Sequence, residues 1–236
     1  RRQPIFACFK AVLKIFIRKV RVVVLGGKLT ERCLYIANHA NKMGPMIYNM
    51  YFPVYHVKWG AYQMLGNYTS RRNYLRDVLY IQKNGMGRRM AAFKAFFEAF
   101  FSQFIYRGMK ILPTYPDGRL VRTVKKSVEL FEDRTAVMIF PEDSGDGYHD
   151  VLKNFFPGFL LVAERYRQVR GEDLPMRPLY YHKKKRLIVV GEECDLKDFG
   201  GAKRQEIAEA FREKVNALFY RIERGEFDKK RAGAAV

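Results

Sequence analysis

Two short polar segments of this chain carry side chains that could do chemistry, and each follows a short apolar run. Asn38 and His39 follow the run 34–37, and Glu142 comes shortly after the run 135–140. A histidine can take up or release a proton near neutral pH, which makes His39 a candidate general base. The alternative interpretation is a histidine that only caps a loop.

The elements that must position these residues follow from the same pattern. Both apolar runs are short enough to be β-strands, and the segment between them has helical periodicity. Gly44 and Pro45 mark a turn from which a helix over 46–51 can begin. Parallel strands joined by crossover helices place their carboxyl ends at one edge of the sheet, where ligands bind. We therefore expect His39 and Glu142 to share one crevice.

The two turns also carry most of the residues by which the chain resembles a known family. The first and third sequence blocks of that family are matched here by Asn38, His39, Pro45, Phe140, Pro141, Glu142 and Ser144. An aromatic-Pro-Gly segment over 154–158 and a proline-containing strand over 176–181 follow in the same order, whereas 108–115 matches the second block poorly. On these motifs the chain resembles the glycerolipid (lysophosphatidic acid) acyltransferases over about residues 20–195.

This resemblance implies transfer of an acyl group from a thioester to an alcohol, with His39 as the base and Glu142 as a second catalytic residue. The turn over 140–147 would then shape the acceptor site. The resemblance implies substrate-binding roles for Asn38, Phe140, Pro141, Asp143 and Ser144.

One departure from the family pattern concerns the histidine's partner. Gly44 stands where the family has an aspartate. In serine proteases, loss of the charge on such a carboxylate lowers turnover by about 10⁴. Either another carboxylate orients His39, with Glu142 first and Asp143 or Asp146 as further candidates, or activity is low, or the chain is a pseudoenzyme.

A second departure concerns the acceptor. Gly145 replaces the arginine of the third block, and basic residues of this kind bind the acceptor's phosphate in the family. An acceptor without a glycerol-phosphate monoester is therefore plausible. Lys110 and Arg119 are the nearest basic replacements, although the pattern favours a solvated turn residue for either.

Length and composition limit the class of protein. The 236 residues are enough for one large domain, and 48% hydrophobic and 15% aromatic content argues against disorder. Cys8, Cys33 and Cys194 have no metal-binding or redox spacing, which fits a reducing cytosol. We expect no cleavable signal, no spanning helix, no metal and no bound cofactor.

The net charge of +20 predicts a polyanionic partner: anionic lipid, coenzyme A phosphates, an acidic carrier protein or nucleic acid. The run 183–186 (Lys-Lys-Lys-Arg) lies between two predicted strands and indicates a hairpin tip. Nucleic acid is the weakest alternative, because no reading motif is present and aromatic residues do not alternate with the basic clusters.

Two segments bear on membrane contact. Residues 5–20 predict a basic amphipathic helix, which is typical of a membrane interface but also of a helix packed on its own domain. Residues 93–104 hold six phenylalanines at helical spacing. Such a stripe usually lies in a core; the alternatives are an acyl-chain tunnel or a surface that enters a bilayer.

The alternation of strands and helices predicts an α/β fold with a mixed, largely parallel sheet flanked by helices. We expect a membrane-interface helix over 1–20, a single acyltransferase-like domain over 21–227 and a charged tail over 228–236.

The predicted function is a membrane-surface acyltransferase that moves a fatty acyl group to a (lyso)lipid hydroxyl. The donor would be acyl-coenzyme A or acyl carrier protein, and the expected location is cytoplasmic, on the inner face of the cell membrane. The alternatives are a lipid-binding pseudoenzyme and, third, a nucleic-acid-binding protein.

Overall fold

A computed structural model describes residues 3–228 of the chain, and within them seven strands form one sheet. The strands are β1 (Arg21–Val24), β2 (Leu34–Ala37), β3 (His56–Ala61), β4 (Ile111–Thr114), β5 (Ala136–Ile139), β6 (Met176–His182) and β7 (Leu187–Val190). Their spatial order is β1-β7-β6-β2-β5-β3-β4. Apart from Asp228, the tail expected over 228–236 lies outside the described residues.

The strand directions confirm the predicted mixed, largely parallel sheet. Five neighbouring strands, β6, β2, β5, β3 and β4, run parallel, and β7 and β1 run in the opposite direction. The antiparallel β6–β7 pair forms a hairpin with an exposed tip at 183–186, as the sequence predicted. The parallel part places the carboxyl ends of β2, β5, β3 and β4 at one edge.

Helices cover both faces of this sheet. They are α1 (Pro4–Phe16), α2 (Gly44–Tyr51), α3 (Tyr68–Tyr74), α4 (Arg88–Gly108), α5 (Leu120–Glu132), α6 (Leu160–Arg170) and α7 (Arg204–Glu223), with a π-helical segment (Leu75–Lys83) directly after α3. Because side chains alternate along a strand, Leu34 and Ile36 of β2 pack in the core that α5, α6 and α7 cover. Tyr35 and Ala37 pack in the opposite core, beneath α1 and α2.

The sequence did not reveal β3, which lies between β5 and β4. His56 and Lys58 occupy buried positions on one side of this strand, and two ionisable residues there hide the apolar pattern. Lys58 is only 1% exposed, and its ammonium has no hydrogen-bond partner among the described residues. Burial lowers the pKa of Lys58 to about 7, because desolvation disfavours the charged form.

Helix α4 reverses the packing that its sequence indicates. Ala91, Ala95 and Ala99 are fully buried against the π-helical segment, in a cluster with Leu75 and Leu79. The six phenylalanines lie on the outer side and are exposed. The usual core placement of such a stripe is therefore wrong for this helix. Within residues 3–228, no helix has the length and apolar character needed to cross a membrane.

Candidate active site

The turns that follow β2 and β5 lie side by side, because these strands are parallel neighbours with Ile36 opposite Ile139. The rings of His39 and Phe140 are 5.2 Å apart between centroids. The predicted meeting of the two turns at one sheet edge is therefore confirmed.

The turn after β2 is held by a compact set of backbone hydrogen bonds. The Asn41 N–H donates to the His39 carbonyl (2.7 Å), and the Gly44 N–H donates to the Asn41 carbonyl (3.0 Å). Ala40 adopts a left-handed conformation with φ of 59°. A Cβ atom on Gly44 would lie 1.8 Å from the His39 carbonyl oxygen, so this turn requires glycine. No aspartate can occupy position 44 unless the turn changes.

His39 is oriented by this turn and not by a carboxylate. Its Nδ1 lies 2.7 Å from the Asn41 carbonyl oxygen, and a carbonyl can only accept, so Nδ1 carries the proton. The unprotonated Nε2 of the neutral ring is then free to accept a proton. The expectation that Glu142 or another residue of 142–146 orients His39 is wrong, because Asn41 occupies Nδ1.

The surroundings of His39 favour its neutral form. Its ring stacks on Tyr148 at a centroid distance of 5.0 Å and also contacts the Phe140 ring. Burial lowers the pKa of His39 to about 4, the nearby Lys83 lowers it further, and the Asn41 carbonyl only partly offsets both. The His39 ring is therefore neutral near pH 7 and can accept a proton.

Glu142 stands at the start of the neighbouring turn, and only 9% of its surface is exposed. Among the described residues, no donor makes a hydrogen bond of normal geometry to either carboxyl oxygen. Burial raises the pKa of Glu142 to about 7, although the backbone N–H of His39 and the ammonium of Lys83 lower it. A carboxyl group that changes charge near neutral pH therefore sits beside the backbone of His39.

Lys83 is a site residue that the sequence did not indicate. The ammonium donates to the Ser144 hydroxyl (2.6 Å) and lies 5.3 Å from the centre of the Tyr148 ring. Burial lowers the pKa of Lys83, whereas Glu142 and Asp143 raise it. Lys83 ends the π-helical segment, and π-helical turns are frequent at functional sites. A basic residue just before Gly85 was the only local signal.

Other residues predicted to bind substrate have structural partners here. The Asn38 amide bonds both backbone groups of Tyr181, at 2.7 and 3.2 Å, and accepts from the Tyr48 hydroxyl (2.9 Å). Asn38 therefore ties β2 to β6. Asp143 accepts from the Gly145 N–H at 3.0 Å and so closes its own turn.

Pro141 and Asp146, which the sequence also offered as site residues, have structural partners outside the surroundings of His39. The Pro141 carbonyl accepts from the Phe156 N–H (2.8 Å), which joins the β5 turn to the downstream aromatic segment. Asp146 is exposed and paired with His149 at 3.0 Å and with Lys153 at 2.5 Å. Ionic and hydrogen-bonded contacts lower the pKa of Asp146 to about 2, so it stays charged away from His39.

Lys110 and Arg119 do not join this group. Lys110 directly precedes β4, which places it at the opposite, amino-terminal edge of the sheet. Arg119 follows β4, three strands from β2 or roughly 14 Å at normal strand spacing. Its guanidinium is paired with Asp117 (2.8 Å) and stacks on Tyr115. The basic residue at the site is Lys83 instead.

The concave surfaces of the molecule differ in their relation to this site. Glu142, Asp143, His149 and Lys153 line a narrow crevice beside the turn that follows β5. A roomier groove lies elsewhere, on the face that α5 and α6 cover, and Val124, Leu161 and Arg165 contribute to it. The crevice adjoins Glu142 but His39 is not among its lining residues, so the expected single crevice for His39 and Glu142 is not formed in this structure.

Comparison with known proteins gives a limited result. No family model matches the sequence, and no curated protein matches it. Among solved structures, the chain is similar to the crystal structure of the 1-acyl-sn-glycerophosphate (LPA) acyltransferase, PlsC, from Thermotoga maritima. That match covers 95% of this chain and 79% of that chain, with 15% sequence identity and a TM-score of 0.48. Similarity at this level does not assign the chain to a family.

Proposed function

We propose that this protein is an acyltransferase that moves a fatty acyl group from a thioester to the hydroxyl of a lipid or lysolipid. The observation that carries the proposal is the tautomer of His39. The 2.7 Å contact of Nδ1 with the Asn41 carbonyl leaves Nε2 free at the edge where the two turns meet. The ordered sequence blocks around these turns point to the same chemistry.

In the proposed reaction, Nε2 of His39 takes the proton of the acceptor hydroxyl as its oxygen attacks the thioester carbonyl. The tetrahedral intermediate collapses with cleavage of the C–S bond. The leaving thiolate then takes the proton from Nε2 of the imidazolium. The donor is acyl-coenzyme A or acyl carrier protein, which acts as a co-substrate and not as a bound cofactor.

The proposal predicts a weaker base than a histidine with a carboxylate partner. A neutral carbonyl holds the tautomer, but it stabilises the imidazolium less than a carboxylate would. Glu142, with a pKa near 7, supplies a negative charge close to His39 only when it ionises. We therefore assign to Glu142 an electrostatic role and not the orientation of the ring.

Lys83 has the chemistry to bind an anionic group of the acceptor. Its ammonium is held between Ser144 and Tyr148, beside the rings that flank His39. We assign to Lys83 the anion-binding role for which Lys110 and Arg119 were the candidates in the sequence.

The proposed setting is the inner face of the cell membrane, in the cytoplasm, with anionic lipid as the surface partner. Its support is the net charge of +20 and the basic residues of α1.

The experiment is an assay of acyl transfer by the purified protein, with acyl-coenzyme A or acyl carrier protein and a panel of lysolipids, followed by mass spectrometry of the lipid products. His39→Gln should lower turnover by about 10²–10⁴, the usual contribution of a general base. His182→Gln is the control, because His182 pairs with Glu223 of α7 and does not line the crevice beside Glu142. Equal activity of wild type and His39→Gln would disprove the mechanism.

A lipid-binding pseudoenzyme is the second candidate. It is favoured by the turn at Gly44, which excludes the aspartate, and by the low pKa of His39. Lipid binding without transfer across the whole panel, from either donor, would establish this alternative.

A further inference from the structure

The outer face of α4 is unlike the outside of an ordinary surface helix. Phe93, Phe96, Phe97, Phe100 and Phe101 are each more than half exposed, and Phe100 reaches 73%. They lie opposite the buried alanines, so that the apolar side of the helix faces away from the protein. Contiguous aromatic exposure of this kind marks an interaction surface, because single exposed apolar residues are ordinary but stripes are not.

Helix α1 extends the same surface. Phe6 and Phe9 contact Phe104 of α4, with ring centroids 5.8 and 5.5 Å apart, so the two helices adjoin. The exposed side of α1 is also apolar. Its exposed large residues are Ile5, Val12, Ile15 and Phe16. We call the outer residues of α1 and α4 together the aromatic surface.

The charges on these helices are almost all positive. Neither Asp nor Glu occurs in α1, and α4 contains a single acidic residue, Glu98. Glu98 forms an ion pair with Lys42 and accepts a hydrogen bond from the Tyr80 hydroxyl. Its negative charge is therefore already paired within the protein. The exposed basic residues near the aromatic surface are Lys14, Arg18, Lys19, Arg88, Arg89, Lys94 and Arg107.

We propose that the aromatic surface inserts into the interfacial layer of an anionic membrane, with α1 and α4 lying along the bilayer plane. Phenylalanines enter the apolar layer while the surrounding lysines and arginines bind lipid phosphates. A second copy of the chain fits this surface poorly, because pairing would bring two positively charged rims together. The Lys42–Glu98 ion pair joins α4 to the turn of His39, so insertion brings the candidate active site close to the lipid.

Vesicle binding tests the insertion directly. We expect Phe97→Ser/Phe100→Ser/Phe101→Ser to reduce co-sedimentation with phosphatidylglycerol-phosphatidylcholine vesicles at least tenfold. Val169→Ser/Tyr220→Ser is the matched control, because both residues are 47% exposed on α6 and α7, away from this surface. Unchanged binding by the triple variant would overturn the proposal. His39→Gln should bind vesicles like wild type, which separates this proposal from the acyl-transfer proposal.

The depth of insertion provides a second measurement. The chain has one tryptophan, Trp59, whose indole N–H bonds the Ser127 hydroxyl (2.9 Å) on the α5 side of the sheet. In Phe100→Trp, vesicles with brominated acyl chains should quench the new fluorescence, whereas wild-type Trp59 should stay unquenched. If the Phe100→Trp variant binds the vesicles but its tryptophan fluorescence is not quenched, insertion is disproved. Self-association that the triple variant abolishes, with vesicle binding unchanged, would assign the surface to a second copy instead.

Discussion

The turns after β2 and β5 lie side by side but satisfy their polar groups differently. In the β2 turn, the Asn41 carbonyl accepts from both His39 and Gly44, and Asn38 has a partner for each side-chain polar atom. In the β5 turn, Glu142 is buried without a hydrogen-bond partner in the described structure. The first turn fixes geometry and the second holds a titratable charge. Substitutions in the first should change stability at every pH, and in the second mainly the pH response and substrate binding.

The largest effect is expected at Gly44. Gly44→Asp should destabilise the protein by on the order of 3 kcal/mol and abolish transfer, because its Cβ would overlap the His39 carbonyl. Chemical denaturation measures the first effect and the lipid assay the second. Gly118→Asp is the control, because a Cβ at Gly118 meets nothing within 4 Å. A stable and more active Gly44→Asp protein would show that the turn can rearrange to accept a side chain at position 44.

Asn38→Ala should destabilise the protein next most strongly. It leaves the Tyr181 backbone groups and the Tyr48 hydroxyl without their buried partner, at a cost of about 1–3 kcal/mol. Chemical denaturation should show the loss at both acid and neutral pH. Asn84→Ala, at an exposed position, should leave the unfolding midpoint near that of wild type. An equal loss in both variants would contradict the bridging role of Asn38.

Glu142→Gln should change how stability depends on pH. The folded protein raises the pKa of Glu142 from 4.5 to about 7, so its contribution to stability is fully present below pH 4.5 and is lost as pH rises through 7. A glutamine side chain is neutral at every pH, so the variant loses no stability from ionisation at this position as pH rises. Glu142→Gln should therefore raise Tm relative to wild type at pH 8 and leave it similar at pH 4.5. The gain at pH 8 is at most about 3 kcal/mol. The same Tm difference at both pH values would contradict the buried, titrating carboxyl.

Lys83→Met is expected to have the smallest effect on folding and a selective one on function. It should raise the KM for an anionic acceptor about tenfold, the loss of one charged contact, with a smaller change in kcat. Removing the cation should also raise the pKa of His39, measured by NMR titration, because Lys83 lowers it now. Lys126→Met, which removes an exposed lysine paired with Glu129 on α5, is the control. Equal KM values for charged and uncharged acceptors would remove the assigned role.

Local patterns accounted for much of the fold. The apolar runs of β2 and β5, the hairpin of β6 and β7 and the amphipathic α7 all follow from side-chain periodicity, which local sequence encodes. The strand β3 was missed because its inward side carries His56 and Lys58. Only the surrounding sheet makes that segment a strand, since the burial of two ionisable groups is imposed by tertiary packing.

By itself, the sequence determined that His39 ends one strand, that Glu142 follows another, and that parallel strands bring both to one edge. The tertiary structure decided the chemistry of that edge. The Asn41 carbonyl replaces the expected carboxylate through a turn that only Gly44 permits, and Lys83 arrives from a π-helical segment distant in sequence. Likewise, spacing identified the phenylalanine stripe of α4, but only packing decided that its alanines face inward. Periodicity shows which residues share a face; which face is buried depends on the partner that packs against it.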